Sequence, residues 1–202
     1  MNTHEEFVEN KFKKVSELIP EKAKILDVGC NDLKILNFLK NPYYFGTDIN
    51  NEKILGNDKI KFKQADLNKD ELPFKNEKFD FILILDVLEH VVNPQKLLLE
   101  SKQRLKPNGR LIITLPNDYH LLNKIRFVLN KHLTENPFAP YGHLHYFPIK
   151  SGEKFLKDNG LKIEKRIILP PVKPKIIPQG LKNFLSSSFP QAFARDVLYV
   201  LS

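Results

Sequence analysis

Four aspartates, each standing where an apolar run of the chain gives out, are the residues best placed to bind one polar ligand together. Asp27 closes the run that begins at Ala23 and leads into Gly29, Asp48 follows Tyr43 to Thr47, Asp66 follows Lys59 to Lys63, and Asp86 follows Phe79 to Leu85. A carboxylate only accepts hydrogen bonds, so it suits paired hydroxyls, an amino group or a cation. Asp48 lies 21 residues after Asp27, close to the ~20-residue offset of a ribose-binding acid in dinucleotide-type βαβ units. Gly29 tolerates the backbone angles of a tight turn and lets a ligand approach the main chain. Taken singly, an aspartate at a strand end is a turn or cap residue; the series favours a shared ligand.

A second group carries titratable rings. Glu89 and His90 come just after Asp86, and Tyr141-Gly-His-Leu-His-Tyr-Phe147 places His143 and His145 two residues apart. His90 and His145 are the candidate catalytic residues, acting on an acceptor proton if the acceptor starts protonated. The competing reading of His90 is a ring that braces its loop by hydrogen bonding. His143 and His145 share a face if their stretch is extended, a spacing able to bind a metal. No further ligand is evident, so no metal is expected and both are read as pocket residues. The lone Cys30 excludes an internal disulfide and a cysteine-rich metal site, and is read as packing beside a ligand.

The elements that must position these residues alternate. Thr3-His-Glu-Glu6 has the form of a capping box, with Val8, Phe12, Val15 and Ile19 following at helical spacing until Pro20. A strand then runs into Gly29, and a helix with Leu33, Leu36 and Leu39 on one face is expected after it. Strands over 43–47 and 59–63 flank a short helix over 51–55. The nearly all-apolar run 79–85 reads as a strand buried on both faces. Asn93-Pro94 starts a helix in which Glu100 precedes Arg104 by four residues, a favourable spacing. That helix stops at Pro107-Asn-Gly109, and 110–115 is a fifth strand. Further on, 118–130 reads as helix, 151–159 as a helix closed by Gly160, 161–169 as a strand, the Pro- and Lys-rich 170–180 as a loop or cover, and 193–201 as a last strand. The whole predicts an α/β fold, a doubly wound, mostly parallel seven-stranded sheet, with ligands bound outside the carboxyl ends of its strands.

Ile25-Leu-Asp-Val-Gly-Cys-Asn-Asp-Leu-Lys-Ile-Leu36 resembles the first motif of class I S-adenosylmethionine-dependent methyltransferases. Tyr44-Phe-Gly-Thr-Asp-Ile49, Gln64-Ala-Asp-Leu67, Phe79–His90 and Leu105–Ile113 are similar to the motifs that follow. The resemblance covers residues 23–116 and continues loosely beyond, toward methyltransferases of the MetW and ubiquinone-biosynthesis kind. It implies S-adenosyl-L-methionine as cofactor, bound by Asp27, Gly29, Cys30, Asn31 and Asp86, with Asp48 on the ribose, Asp66 on the adenine amino group, and Ile49 and Leu67 over the ring. The family's pattern has glycine at the positions of Asn31 and Leu33. Leu33 either turns inward as a core residue or weakens cofactor binding; the second reading keeps a MetW-like regulatory protein, acting on a partner enzyme, as the alternative to an enzyme. A dinucleotide dehydrogenase is excluded, because Gly29-Cys-Asn-Asp lacks the second glycine and sets Asp32 where pyrophosphate would sit.

Composition bounds the partners. The 202 residues are 42% hydrophobic and 28% charged, suited to one domain: an N-terminal helix over 1–20, a cofactor-binding half over 21–116 and an acceptor-covering half over 117–202. No apolar run approaches the ~20 residues of a membrane span, and a cytoplasmic protein is the expectation. Residues 1–100 carry a net charge of −3 and residues 101–202 carry +11. That asymmetry suits a small, anionic acceptor, and leaves open a nucleic acid or a peripheral membrane contact at Lys173, Lys175 and Lys182 near Ile176, Ile177 and Leu181. It is equally the mark of a solvated lysine surface. Oligomeric state is not legible.

Overall fold

Alternate residues of the central strands leave to opposite faces of the sheet, and this period of two divides the core. Leu26, Val28, Phe45, Ile82, Ile84, Leu111 and Ile113 pack on one face, while Ile25, Tyr44, Phe81, Leu83, Ile112, Leu198 and Val200 pack on the other. The structure, a computed structural model, describes residues 3–50, 60–131, 142–172 and 175–202. The expected helix over 51–55, and Lys173 and Tyr141, lie outside the described residues.

The strands are β1 (Lys24–Val28), β2 (Tyr43–Asp48), β3 (Ile60–Gln64), β4 (Phe79–Leu85), β5 (Leu105–Pro116), β6 (Ile163–Leu169) and β7 (Asp196–Leu201). They form one seven-stranded sheet in the order β3-β2-β1-β4-β5-β7-β6, parallel except for β7, which runs antiparallel to β5 and β6. The chain builds outward from β1 to β3 and returns to β4 on the other side of β1. That reversal opens a crevice at the carboxyl ends of β1 and β4, where such sheets bind ligands. The predicted doubly wound, mostly parallel sheet is the one observed.

The helices are α1 (Thr3–Ser16), α2 (Pro94–Gln103), α3 (Leu121–Val128), α4 (Ile149–Asp158), α5 (Gln179–Ser188) and α6 (Pro190–Phe193). Asn93 caps α2 as expected, its side chain accepting from the Lys96 amide at 2.9 Å. Five expectations change. Helix α1 ends at Ser16, before Pro20. No α-helix follows Gly29: a single 3₁₀ turn, Lys34–Asn37, is all that fits between the left-handed loop and β2. Strand β5 starts at Leu105 and crosses the Pro-Asn-Gly segment with a register shift opposite Phe79. There Gly109 is needed because a Cβ would lie 2.7 Å from the Phe79 carbonyl. Glu100 does not pair with Arg104; it accepts the Leu72 amide at 2.6 Å, while Arg104 donates to the carbonyls of Pro73, Leu72 and Glu100. Finally, α5 and α6 fill the stretch between the expected loop over 170–180 and the expected last strand, where no element is expected from the sequence. The buried face of α5 is polar, with the Lys182 ammonium on the Val172 carbonyl and Ser186 Oγ on the Phe193 carbonyl at 2.9 Å, while Leu181 and Phe184 face out. Apolar periodicity therefore points to the wrong face, and Lys182 is withdrawn from any membrane-facing surface.

Helix α1 lies on the second face of the sheet through Phe7 and Val15, with Lys11 between them at the same spacing. The buried Lys11 ammonium is ion-paired with Asp86, at the end of β4, and with Asp196 at 2.8 Å, at the start of β7. Burial alone would lower the Lys11 pKa, but the two carboxylates outweigh it and push it up to about 12. Replacing Lys11 by Met leaves both carboxylates without their cation. The expected loss is about 3 kcal/mol in urea unfolding, the low end for breaking a buried pair, because Asp86 is partly open to a cavity. An unchanged unfolding midpoint would show that the pair does not hold α1.

Candidate active site

The loop after β1 keeps a backbone that glycines normally adopt. Gly29, Asn31 and Leu33 have φ of 74°, 43° and 59°. A non-glycine residue in this region costs roughly 1 kcal/mol or more, so neighbours must hold it there. The amides of Gly29 and Cys30 both donate to the Thr47 carbonyl, at 2.8 and 3.1 Å. The Asn31 amide donates to Asp48 Oδ2 at 2.9 Å, and Asp48 Oδ1 accepts the Asn50 amide at 3.0 Å. Asp48 thus fastens the loop to the end of β2 and keeps lone pairs to spare. Leu33 turns inward and packs against the second-face core with Leu36 and Leu39. At Gly29 a Cβ would come within 2.6 Å of the Val87 side chain, so glycine is required by space as well as by angle.

Asp27 is buried and accepts the Tyr44 hydroxyl at 2.5 Å. Burial pushes its carboxyl up to about 7; Tyr44 opposes the shift and the nearby Asp48 charge adds to it. Cys30 packs under Gly46, where a Cβ would meet its sulfur at 2.9 Å, and burial pushes its thiol far above the ordinary range. It is a packing residue with no thiolate to offer.

A cavity of about 610 Å³ opens above this loop, lined by Asp27, Gly29, Cys30, Asn31, Asp32 and Asp86, with Glu5, Glu9 and Phe12 of α1 on the far wall. Asp48, Ile49, Asp66 and Leu67 do not line it. Asp66 caps its own turn, accepting the Asn68 amide at 3.0 Å and pairing with Lys69 at 2.8 Å, which holds its carboxyl below the usual range. Leu67 packs on the first-face core, and Ile49 is exposed.

A second cavity of about 340 Å³ adjoins the first and shares Asp86, Lys11 and His4 with it. Asp86, itself at φ 56°, accepts from Thr114 Oγ1 at 2.6 Å. Burial works against its ionised form, but Lys11 and Thr114 outweigh this and keep the carboxyl below the ordinary range. Asp196 shares the same cation and goes the other way, raised by burial. One ammonium between two carboxylates holds Asp86 ionised first.

Glu89, His90 and His143 meet in the wall of this second cavity. Glu89 is 1% exposed, and its Oε2 has no hydrogen-bond partner among the described residues. Burial, with Asp86 nearby, pushes its carboxyl up to about 8. Its backbone carbonyl accepts the amides of Leu144 and His145 at 2.7 and 3.2 Å, which returns the histidine stretch to this point. His90 Nδ1 lies 3.3 Å from the Gly142 carbonyl and His143 Nδ1 lies 3.1 Å from Asp118 Oδ2, with the two rings edge to face at 5.0 Å. Burial lowers the His90 pKa, and the Asp118 hydrogen bond raises that of His143. His145 parts from His143: its Nε2 is 3.0 Å from the Val91 carbonyl and it lines neither cavity. Sequence reasoning missed Lys11, Asp118, His120 and Asp196. Lys11 had a signal, since a lysine four residues from both Phe7 and Val15 sits inside the apolar stripe.

The chain matches the family model described as a methyltransferase domain over residues 2–166. It belongs to the class I S-adenosylmethionine-dependent methyltransferases. An uncharacterized protein of Methanocaldococcus jannaschii is 39% identical over 80 residues, 40% of this chain and 39% of that protein. The ubiquinone biosynthesis O-methyltransferase of Rickettsia prowazekii is 31% identical over 110 residues, 48% of this chain and 41% of that enzyme. The chain thus spans about two fifths of the length of these relatives. A solved S-adenosylmethionine-dependent methyltransferase from Mesorhizobium loti shares the fold with a TM-score of 0.62 at 17% identity, over 93% of this chain and 95% of that one. S-adenosyl-L-methionine is the cofactor of this methyltransferase fold. The first cavity fits it: acidic walls suit a sulfonium and an ammonium, and the lining at Gly29 is bare backbone.

Two measurements test the loop. At an ordinary helical site alanine is better than glycine, but at Leu33 the left-handed angle reverses the order. Leu33→Ala should unfold at lower urea than Leu33→Gly, by roughly 1 kcal/mol; the opposite order would show that the loop does not hold this conformation. Asp27 titrates near 3.8 when unfolded and near 7 when folded. The folded state therefore holds the extra proton in between, and stability falls as pH rises from about 4 to about 7, then levels. Asp27→Asn should raise Tm at about pH 8 and much less at about pH 4.5; an equal gain at both would assign the slope to other groups.

Proposed function

We propose that this chain transfers the methyl group of S-adenosylmethionine to an oxygen, nitrogen or carbon atom of a small molecule held in the second cavity. The observation that carries the reading is the shared wall: the glycine-loop cavity and the Glu89–His90–His143 cavity meet at Asp86 and Lys11. The cofactor supplies a methyl carbon on a positively charged sulfur. The protein's part is to place and to shield. Asp48 offers acceptor lone pairs to ribose hydroxyls; the adenine roles of Asp66 and Leu67 rest on the family resemblance alone, since neither lines the first cavity. Asp86, held ionised by Lys11, provides negative charge beside the cationic end, and Asp27 adds to it once it loses its proton near pH 7. Helix α1 closes the first cavity with Phe12 and Val8, which keeps water from the sulfonium. Holding donor and acceptor in line supplies much of the rate in such a displacement. Because the Gly142 carbonyl can only accept, His90 Nδ1 carries the proton and Nε2 holds a lone pair able to take an acceptor proton. His145 is not assigned a catalytic part.

The anionic character of the acceptor finds no support in the lining. Lys11 and Arg195 face Asp86, Glu89, Asp118 and Asp196 there, whereas Lys150, Lys154, Lys157, Lys162 and Lys165 are exposed on α4, β6 and the turn between them. Leu33, turned into the core, also removes the reason for reading the loop as degenerate, so the regulatory alternative is not pursued. No described helix is long and apolar enough to cross a membrane.

Calorimetry with S-adenosylmethionine and S-adenosylhomocysteine, followed by an acceptor screen with labelled methyl donor, tests the reading. Asp48→Ala should weaken cofactor binding by about 1–3 kcal/mol, from lost hydrogen bonds to the ribose and a loosened loop. Full affinity in a folded Asp48→Ala protein would remove Asp48 from the site, and the absence of binding by the native chain would sink the proposal.

A further inference from the structure

The structure assigns a divalent transition-metal site to Glu89, His90 and His143. Each of the three residues offers a ligand atom, and these atoms all lie within 4.8 Å of one another. Two imidazoles and one carboxylate are the donor set of zinc, iron(II), cobalt and manganese sites, whereas magnesium and calcium prefer oxygen alone.

Three features mark a built site. First, Glu89 is 1% exposed with its Oε2 unpartnered, and a buried carboxyl without a partner either keeps its proton or gives it up to a cation that faces it. Lys11, the lysine that lines the same cavity, is already committed to Asp86 and Asp196. Second, both rings are oriented from behind. His90 Nδ1 is bonded to the Gly142 carbonyl and His143 Nδ1 to the Asp118 carboxylate. An oxygen acceptor on Nδ1 fixes the proton there and leaves Nε2 its lone pair, the arrangement that supports metal-ligating histidines. Third, the backbone is pinned: the Leu144 and His145 amides donate to the Glu89 carbonyl, locking His143's stretch to the ligand it must meet.

Three protein ligands leave positions open toward the second cavity, as in catalytic rather than structural sites. An oxygen-bearing acceptor would occupy them, a role that rests on the proposed function, whereas metal binding itself does not. With a metal bound, His90 Nε2 is a ligand and is no longer the proton acceptor.

The test uses the purified full chain, stripped with a chelator and titrated with Co²⁺, Zn²⁺, Mn²⁺ or Mg²⁺, with no methyl donor present. Expected are a cobalt absorption band in the visible, a rise in Tm with Zn²⁺, Co²⁺ or Mn²⁺, and at most a weak response to Mg²⁺. Glu89→Gln, His90→Ala and His143→Ala should each weaken binding at least ~10-fold, and Asp118→Asn about 10-fold through ring orientation. His145→Ala should bind as the native chain does, and circular dichroism identifies any variant that fails to fold. No metal uptake by the native chain, or uptake that survives Glu89→Gln and His143→Ala, overturns the assignment. Cofactor affinity measured separately by calorimetry tells this failure from failure of the methyl-transfer reading.

Discussion

One ammonium between two carboxylates organises this molecule. Lys11 reaches from α1 to Asp86 at the end of β4 and Asp196 at the start of β7, so a single buried cation joins the N-terminal helix to both halves of the sheet. Each group would be expensive to bury alone, and each is tolerable only where the other two are. The triad therefore specifies position more than it adds stability. It sets α1 over the first cavity and fixes Asp86 between the two cavities. It also ties the antiparallel strand to the parallel ones at the point where the two cavities meet.

Much of this architecture was legible because burial on both faces leaves a strong trace. The runs 79–85 and 110–115 are mostly apolar, broken only by Asp80, Arg110 and Thr114, and the aspartates that end β1, β2 and β4 or follow them mark the crevice. What stayed hidden followed from polar groups in apolar places. Lys11 interrupts the stripe of α1, and Lys182 with Ser186 forms the buried face of α5, so a reading based on apolar spacing shifts the first helix face by one residue and loses the other helix. The meeting of Glu89 with His143 is set by two amides donating to one carbonyl across more than fifty residues, and no local pattern encodes that. His143 and His145 looked equivalent by spacing, yet the backbone between them is not extended and sends them to different partners.

The glycine loop shows how geometry outlasts composition. Its three left-handed residues carry one glycine, one asparagine and one leucine. Asn31 is held by the Asp48 carboxylate on its amide, and Leu33 is held by apolar contacts below it. Hydrogen bonding and packing supply what glycine would supply by lacking a side chain, and the loop reaches the same path by being held rather than by being free.

The position of β7 has a consequence for synthesis. It is the last strand in sequence but lies between β5 and β6 in the sheet. As the chain emerges from a ribosome, β1 to β5 can assemble while β5 presents an open edge and β6 has no neighbour to pair with. Lys11 then has Asp86 but not Asp196. Completion of the sheet and of that triad arrive together with residues 196–201, so the first cavity can take shape before the wall of the second closes. During that interval the nascent chain is exposed to strand-to-strand misassociation at the β5 edge.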